Sequence, residues 1–503
     1  MTEPTRHPVP AARPVHATRR ARPLLAMAAA AALLAGCSTN PATERRQFTG
    51  LMSQEQEQQV GSEQHEQVMQ EFGGPYKDQR LQDYVNRLGQ RLAANTENPE
   101  IKYTFTVLDS EIVNAFALPG GYVYVSRGLM ALANSEAELA GVIGHEIGHV
   151  TGRHTAERYS RGTLAQVGAV VAGIFGGQQV AQLAGLGANL AISGWSRRQE
   201  LEADSLGVRY MADAGFDPMQ MAGFLDSMGR HAQLEALLAG NPGAADQFSY
   251  FQTHPPTGER VEKAAAAAQK RAAGDWEVDS EAYLRTIDGM VYGDSPENGF
   301  VRGTTFAHTQ LGLRFDVPRG FRLLNGQKQV RAISPEKDAA IIFDAAPGQG
   351  VRSPEEFISR VWAAQAQLGE LQRLDINGMP AATAVAQVQG QQGPMLARLV
   401  AIQWDADTFY RFVFLTGANG AGRYDEAFKQ TAYSFRRLGS EDRNRFRPYR
   451  IKVVQARPGD TVESFIRRMP FDDYPEERFR VLNNIPPGTE LRPGQMVKLV
   501  TEG

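Results

Sequence analysis

From 38 to 70 the chain is polar and glutamine-rich with no strong apolar face, and the first clear helical stripe is Leu81, Tyr84, Val85, Leu88 and Leu92. The polar stretch reads as a tether over 37–70 and the stripe as the entry to a folded domain. Asn114 to Gly121, followed by the alternation Tyr122-Val123-Tyr124-Val125, reads as a sheet edge, a turn and a strand. A second stripe, Leu139, Val142, Ile143, Ile147 and Val150, contains no proline, and Ser135 stands three residues before Glu138 as in a capping box. A helix is predicted over 136–152. Gly141, Gly144, Gly148 and Gly152 each cost such a helix about 1 kcal/mol relative to alanine. Their three- and four-residue steps line one face where another element can pack closely.

Between 164 and 192 the chain is rich in Gly, Ala, Val and Leu, but Gln166, Gln178, Gln179, Gln182 and Asn189 interrupt it. It reads as packed helices, or a flap over a cleft, with Gly176-Gly177 as a natural break. An alanine-rich helix is expected around 264–273 and a linker at 294–303. The texture then turns to β. Strands are predicted at 311–317, 339–345, 382–389, 397–404 and 409–416, with helices near 353–368 and 422–432, which makes 304–438 an antiparallel-sheet α+β domain. It holds no cluster of histidines or paired acids.

With 53 basic and 56 acidic side chains among 503 residues, nothing suggests a nucleic-acid partner. Cys37 is the only cysteine, so no intramolecular disulfide forms. Arg13, Arg19, Arg20 and Arg22 precede an apolar stretch at 24–34, too short to span a bilayer, and then Leu34-Ala35-Gly36-Cys37. This resembles a bacterial lipoprotein signal, which implies removal of 1–36 and lipidation of Cys37. Ser38 lacks the aspartate that signals inner-membrane retention, so the expected address is the periplasmic face of the outer membrane. The remaining chain is long enough for about three domains of roughly 150 residues.

The candidate chemistry lies in His145-Glu146-Ile147-Gly148-His149. On a helix, positions i and i+4 share a face, so both imidazoles reach one ion while Glu146 turns toward a bound water. A catalytic zinc held by two histidines needs a third protein ligand and an open position. About fifty residues on, Glu200 and Asp204 are again i and i+4. One can bind metal while the other accepts a hydrogen bond from a ligand histidine and fixes its tautomer. His65, His154 and His231 read as isolated surface or core histidines.

These motifs, with Asn114 to Gly121 before them and Thr253-His254-Pro255-Pro256-Thr257 after, resemble the BepA/LoiP/HtpX-like gluzincin metalloproteases, a group that includes the CAAX prenyl endoproteases. The likeness covers roughly 71–290. It implies a mainly helical protease domain with a small sheet, one Zn2+ per chain, and His145, His149 and Glu200 as ligands with Asp204 behind them. It also implies His254 as a switchable fourth ligand and Arg260 near the site as an oxyanion stabiliser. Hydrolysis would use metal-activated water with Glu146 as the base and no covalent intermediate. The edge at Asn114, Ala115 and Phe116 would pair with an extended substrate backbone.

Near the C-terminus, Ile451 to Val454, Pro458-Gly459-Asp460-Thr461-Val462, Val481 to Asn484 and Leu491 to Leu499 resemble a LysM module over 449–501. That implies a small βααβ unit binding N-acetylglucosamine-containing glycans, hence peptidoglycan. The overall expectation is a multidomain α+β protein. Three functions stay open: a lipid-anchored endopeptidase acting on unfolded or misassembled envelope polypeptides, a self-inhibited partner of the outer-membrane assembly machinery, and a cell-wall tether.

Overall fold

The computed structural model describes residues 37–72, 74–163, 195–240, 254, 258–271, 274–326, 328–390, 393–417 and 420–503. The expected signal segment 1–36, the apolar segment 164–192 and the residues flanking His254 at 253 and 255–257 lie outside the described residues. Among the described residues, no helix is long and apolar enough to cross a membrane. The chain divides into two compact units, the smaller of which comprises 1–53 and 156–192. There β1 (Cys37–Thr39) pairs antiparallel with β2 (Arg46–Phe48), Cys37 opposite Phe48. Arg45 donates to both carboxylate oxygens of buried Glu157, at 3.1 and 2.9 Å.

The larger unit comprises 54–155 and 193–503. It opens on helix α1 (Gln54–Glu71), so the stretch expected as a tether is folded. The buried positions of α1 are Glu57, Gly61 and Val68, a face with one large apolar side chain, which is why hydrophobic periodicity does not reveal it. Close approach holds it instead: a Cβ on Gly61 would lie 1.9 Å from the Pro119 carbonyl oxygen. Helix α2 (Gln79–Ala93) buries Leu81, Val85, Leu88 and Leu92, the stripe the sequence presents. A three-stranded sheet follows, in the order β3 (Thr104–Leu108), β5 (Tyr122–Ser126), β4 (Ala115–Leu118). β4 is an edge strand, antiparallel to β5 with Ala115 opposite Val125.

Four more helices follow, α3 (Arg127–Leu132), α4 (Glu136–Thr151), α5 (Arg197–Asp213) and α6 (Met219–Leu238), of which α4 and α5 carry the expected metal ligands His145, His149 and Glu200. The glycine stripe of α4 is where α5 and α6 land. Ideal Cβ atoms on Gly144 and Gly141 would lie 3.2 Å from the Gly207 backbone and 3.0 Å from the Met221 sulfur. The alanine-rich helix α7 spans Gly258–Gln269, earlier than expected, and α8 (Ser280–Ile287) leads to the short strand β6 (Val291–Tyr292).

The expected linker at 294–303 is also folded. Asp294 accepts from the Val301 N–H at 2.8 Å, and Phe300–Arg302 forms β7. β8 (Thr305–His308), β9 (Leu313–Asp316) and the two-residue strand at Arg436–Arg437 complete a four-stranded antiparallel sheet with it. A seven-stranded antiparallel sheet contains β10 (Arg322–Asn325), β11 (Val330–Ile333), β12 (Ala339–Pro347), β13 (Gln372–Ile376), β14 (Met379–Gly390), β15 (Gly393–Gln403) and β16 (Thr408–Gly417). Helix α9 (Ala421–Ser434) and an aromatic cluster with Phe315, Phe343 and Phe412 join the two sheets. The short strands β7, β8, β10, β11 and β13 are absent from the sequence reading. The helix expected to 368 ends in a π-turn at Phe357–Trp362.

The C-terminal segment has the order β17 (Tyr449–Gln455), α10 (Val462–Ile466), α11 (Pro475–Leu482), β18 (Met496–Glu502), its strands antiparallel and β6 adding to β17. Buried Lys498 of β18 donates to the carbonyls of Ala131, Leu132 and Ala133 at 2.7, 3.1 and 2.7 Å. These carbonyls close α3, so the segment is anchored on the helical layer through a helix end that needs donors.

Candidate metal centre

Local sequence sets the two site helices. Ser135 Oγ accepts from the Glu138 N–H at 3.1 Å, while the Glu138 carboxylate accepts from Asn134 N at 2.6 Å, one residue earlier than a capping box places it. α5 carries a full box: Ser196 Oγ accepts from Gln199 N at 3.3 Å and Gln199 Oε1 accepts from Ser196 N at 3.2 Å. Glu200 thereby stands in the first turn of α5, where the helix dipole favours a carboxylate.

Four of the expected residues converge: His145, His149, Glu200 and His254, all buried, with one ligand atom each and all four atoms within 4.8 Å of one another. His145 Nε2 lies 3.0 Å from His149 Nε2 and 3.3 Å from His254 Nδ1. Glu200 Oε1 is 3.0 Å from His254 Nδ1 and 3.4 Å from His149 Nε2, and Oε2 is 3.7 Å from His145 Nε2. Bonds of about 2.0–2.1 Å to a tetrahedral zinc put neighbouring ligand atoms roughly 3.3 Å apart. Three nitrogens and a carboxylate oxygen at this spacing fit zinc, with His254 at the corner a water or substrate would otherwise take. Glu146, also buried, has Oε1 3.6 Å from His254 Nε2, and that oxygen accepts no hydrogen bond among the described residues.

A second layer fixes these groups. His145 Nδ1 is 2.8 Å from Asp204 Oδ1, which frees Nε2 for metal. Arg260, 2 % exposed, donates through Nε and Nη2 to both Asp204 oxygens at 2.8 Å, and its Nη1 lies 2.8 Å from Glu200 Oε2. The expected oxyanion role of Arg260 does not fit this geometry. Its nitrogens face the two carboxylates of α5, which makes it a positioning residue. His154, expected to be isolated, is buried with Nδ1 2.9 Å from His149 Nδ1. Trp195 stacks on the His149 ring with centroids 4.3 Å apart. The sequence assigns His154 no role beyond a surface or core histidine and does not point to Trp195; the one available cue for His154 is its place two residues after the helix-ending Gly152.

The electrostatics follow from burial and these partners. Burial raises the Glu146 carboxyl above the usual range, with His254 and His145 opposing. Burial also holds His149 well below the usual histidine value. In Glu200 burial is overcome by His254, His149 and His145, which leave it well below the carboxylate range. In Asp204 burial is overcome chiefly by Arg260, and its carboxyl is depressed. His145 is raised, because the hydrogen bond and charge of Asp204 outweigh burial.

Ala115 is fully buried on β4, and Phe116 stacks on Tyr124 with centroids 4.8 Å apart. Asn114 precedes the strand, its carbonyl accepting from Ser126 N at 3.0 Å. A cavity of about 330 Å³ next to β4 is lined by Ala117, Leu118, Pro119, Gly120, His149 and Arg153 with the start of α1. Cys37 opens β1 in the smaller unit.

A buried His-His-Glu set with an inward carboxylate on the histidine helix is the donor arrangement of a mononuclear zinc hydrolase. Residues 79–268 match peptidase family M48. The chain belongs to that family. It is 34% identical over 187 residues to metalloprotease LoiP of Escherichia coli (strain K12), covering 36% of this chain and 67% of that protein. It is also 34% identical over 191 residues to a putative beta-barrel assembly-enhancing protease of Vibrio cholerae, covering 36% of each chain. Mitochondrial metalloendopeptidase OMA1 of Schizosaccharomyces pombe is 30% identical over 230 residues, covering 44% of this chain and 64% of OMA1. The chain thus spans about a third of the length of the Vibrio relative.

Proposed function

We propose that this chain is a zinc-dependent metalloendopeptidase, lipid-anchored through Cys37 at the periplasmic face of the outer membrane, that hydrolyses misfolded or misassembled envelope proteins. The peptidase reading is carried by the convergence of His145, His149, Glu200 and His254 beside the buried Glu146. The envelope substrate is supported by the beta-barrel assembly-enhancing name of relatives. The anchor is supported by the Leu34 to Cys37 motif.

His145, His149 and Glu200 would hold the zinc, oriented by Asp204 and Arg260. When bound, the metal supplies Lewis-acid activation of water and of the scissile carbonyl. Glu146, with a raised carboxyl, takes the water's proton and returns it to the leaving amine. β4, whose outer edge carries no strand among the described residues, aligns an extended substrate by backbone hydrogen bonds. His254, whose Nδ1 lies 3.0 Å from Glu200 Oε1, would supply a fourth ligand at rest and would have to leave to admit substrate.

The test uses the chain from residue 38 onward, with bound zinc and digestion of an unfolded protein measured beside Glu146→Gln. About one zinc per chain is expected in both, with cleavage in the parent alone; equal cleavage by the variant rejects Glu146 as the base. The position of His254 also favours a second reading, a self-inhibited assembly factor. A zinc-loaded parent that leaves unfolded protein intact, while His254→Ala cleaves it, selects that reading. The βααβ order at Tyr449–Glu502 supports peptidoglycan binding, tested by sedimenting the full chain with purified peptidoglycan against soluble N-acetylglucosamine oligomers.

A further inference from the structure

His154 and Glu202 are absorbed by no step above, yet both sit on the outer side of a metal-binding imidazole. His154 Nδ1 lies 2.9 Å from His149 Nδ1, and His154 Nε2 lies 3.3 Å from Glu202 Oε2. His154 is buried, whereas Glu202 is 18% exposed at its side chain and also faces Arg198 at 3.7 Å. We propose that His154 and Glu202 form a relay that selects the metal-binding tautomer of His149, as Asp204 does for His145.

The proposal rests on the zinc reading above, and two independent constraints pick the same proton positions. To offer a lone pair at Nε2, His149 must carry its proton on Nδ1, and the atom opposite must accept it. His154 therefore presents a bare Nδ1 and carries its own proton on Nε2. That nitrogen lies at ion-pair distance from the Glu202 carboxylate, whose negative charge favours a proton there. The opposite arrangement would turn a His154 lone pair toward Glu202 and put a proton on the nitrogen of His149 that faces His145 and Glu200.

The backbone is bent to make this contact. α4 ends at Gly152, and Arg153 adopts φ 51°, a left-handed conformation that costs a non-glycine residue on the order of 1 kcal/mol. That turn folds His154 back onto the helix it follows. A Cβ on Gly152 would stand 2.6 Å from His154 Nε2, so the seat requires glycine there. Arg153 is itself held, its Nε donating to Glu57 at 2.9 Å. His154 is thus a positioning residue for His149, placed by a strained turn whose cost is offset elsewhere.

The experiment measures zinc affinity by chelator competition, and the visible spectrum of the cobalt-substituted protein, in the full chain and in His154→Leu, His154→Asn and Glu202→Ala. Leucine has no acceptor, whereas asparagine keeps an oxygen where Nδ1 stands. His154→Leu is expected to weaken zinc binding about 10- to 100-fold and to shift the cobalt bands. His154→Asn should restore most of the affinity, and Glu202→Ala should lose about tenfold. Affinity within about twofold of the parent in His154→Leu or in Glu202→Ala overturns the relay, as does an equal loss in the leucine and asparagine variants. If His154→Leu does not fold, Glu202→Ala at the partly exposed end decides alone. A parent that binds no zinc is a different failure, because it removes the metal reading itself.

Discussion

Gly207→Ala tests whether the metal site depends on the close approach of two helices. Gly207 lies one turn after Asp204 on α5 and faces the backbone of α4 where His145 begins. An ideal Cβ at Gly207 would stand 2.8 Å from His145 N and 3.2 Å from both Gly144 C and His145 Cα. Ordinary contact starts near 3.4 Å, and the obstructing atoms are backbone, so the helices must separate by roughly 0.6 Å. Overpacking of this kind costs about 1–3 kcal/mol, offset by about 1 kcal/mol of helix propensity gained from alanine. Net destabilisation of the metal-free protein is therefore small, about 0–2 kcal/mol. The site tolerates far less, because metal–ligand distances hold within about 0.2 Å. Zinc affinity and kcat/KM should each fall on the order of 10- to 100-fold, in line with the roughly 100-fold cost of a 1 Å misplacement. Urea unfolding of the apo protein, chelator competition and a peptidase assay at saturating zinc separate the two effects. Gly223→Ala on α6 is the control: nothing lies within 4 Å of its Cβ, so it should gain about 0.5–1 kcal/mol and leave zinc binding alone. Parental affinity and activity in Gly207→Ala would refute the reasoning.

Two further substitutions probe buried charge. Arg260→Gln strips Asp204 and Glu200 of their shared cation and should destabilise the metal-free protein by about 3–5 kcal/mol near neutral pH. Asp204 has a folded-state pKa below its ordinary 3.8, so its stabilising contribution is present above that value and lost as pH falls through the depressed one. The cost of Arg260→Gln should therefore shrink as pH falls below 3.8, as read by urea unfolding across pH, and a pH-independent cost would exclude this origin. Lys498→Met removes the donor to three carbonyls at the end of α3, each worth about 1–3 kcal/mol when left unmet, and should loosen the C-terminal segment by about 3 kcal/mol. Limited proteolysis cutting first within 449–502, before global unfolding, is the expected sign; unchanged protection counts against the anchor.

Legibility in the chain follows the range over which each feature is encoded. His145 with His149, and Glu200 with Asp204, are pairs within one helix, so 3.6-residue spacing displays them and the Ser135 and Ser196 caps mark where the helices start. The α4 glycines announce a close packing face without naming the element that fills it, since Gly207 and Met221 arrive from 60 to 80 residues away. α1 was hidden because its buried face is Glu57, Gly61 and Val68, held by backbone approach and an Arg153–Glu57 ion pair at 2.9 Å instead of an apolar stripe. The short strands β10 and β11 carry exposed arginines beside few buried residues, and their pairing is decided by neighbours in the sheet.

The site residues divide the same way. Arg260 was found by motif, but its direction was not, because a guanidinium six residues past His254 can face substrate or ligand with equal spacing. What turns it inward is the charge of α5: two buried carboxylates separated by one helical turn need a cation, and Arg260 supplies five N–H donors in a planar fork that spans both. His154 is the complementary case. Its role depends on a positive φ at Arg153, which no composition or periodicity encodes, and on Glu202, whose spacing from Arg198 reads equally well as a surface ion pair. A helix-ending glycine followed within two residues by histidine, close behind a ligand histidine, is the one local pattern that carries this geometry, because the reversal it permits returns an imidazole to the outer nitrogen of its neighbour.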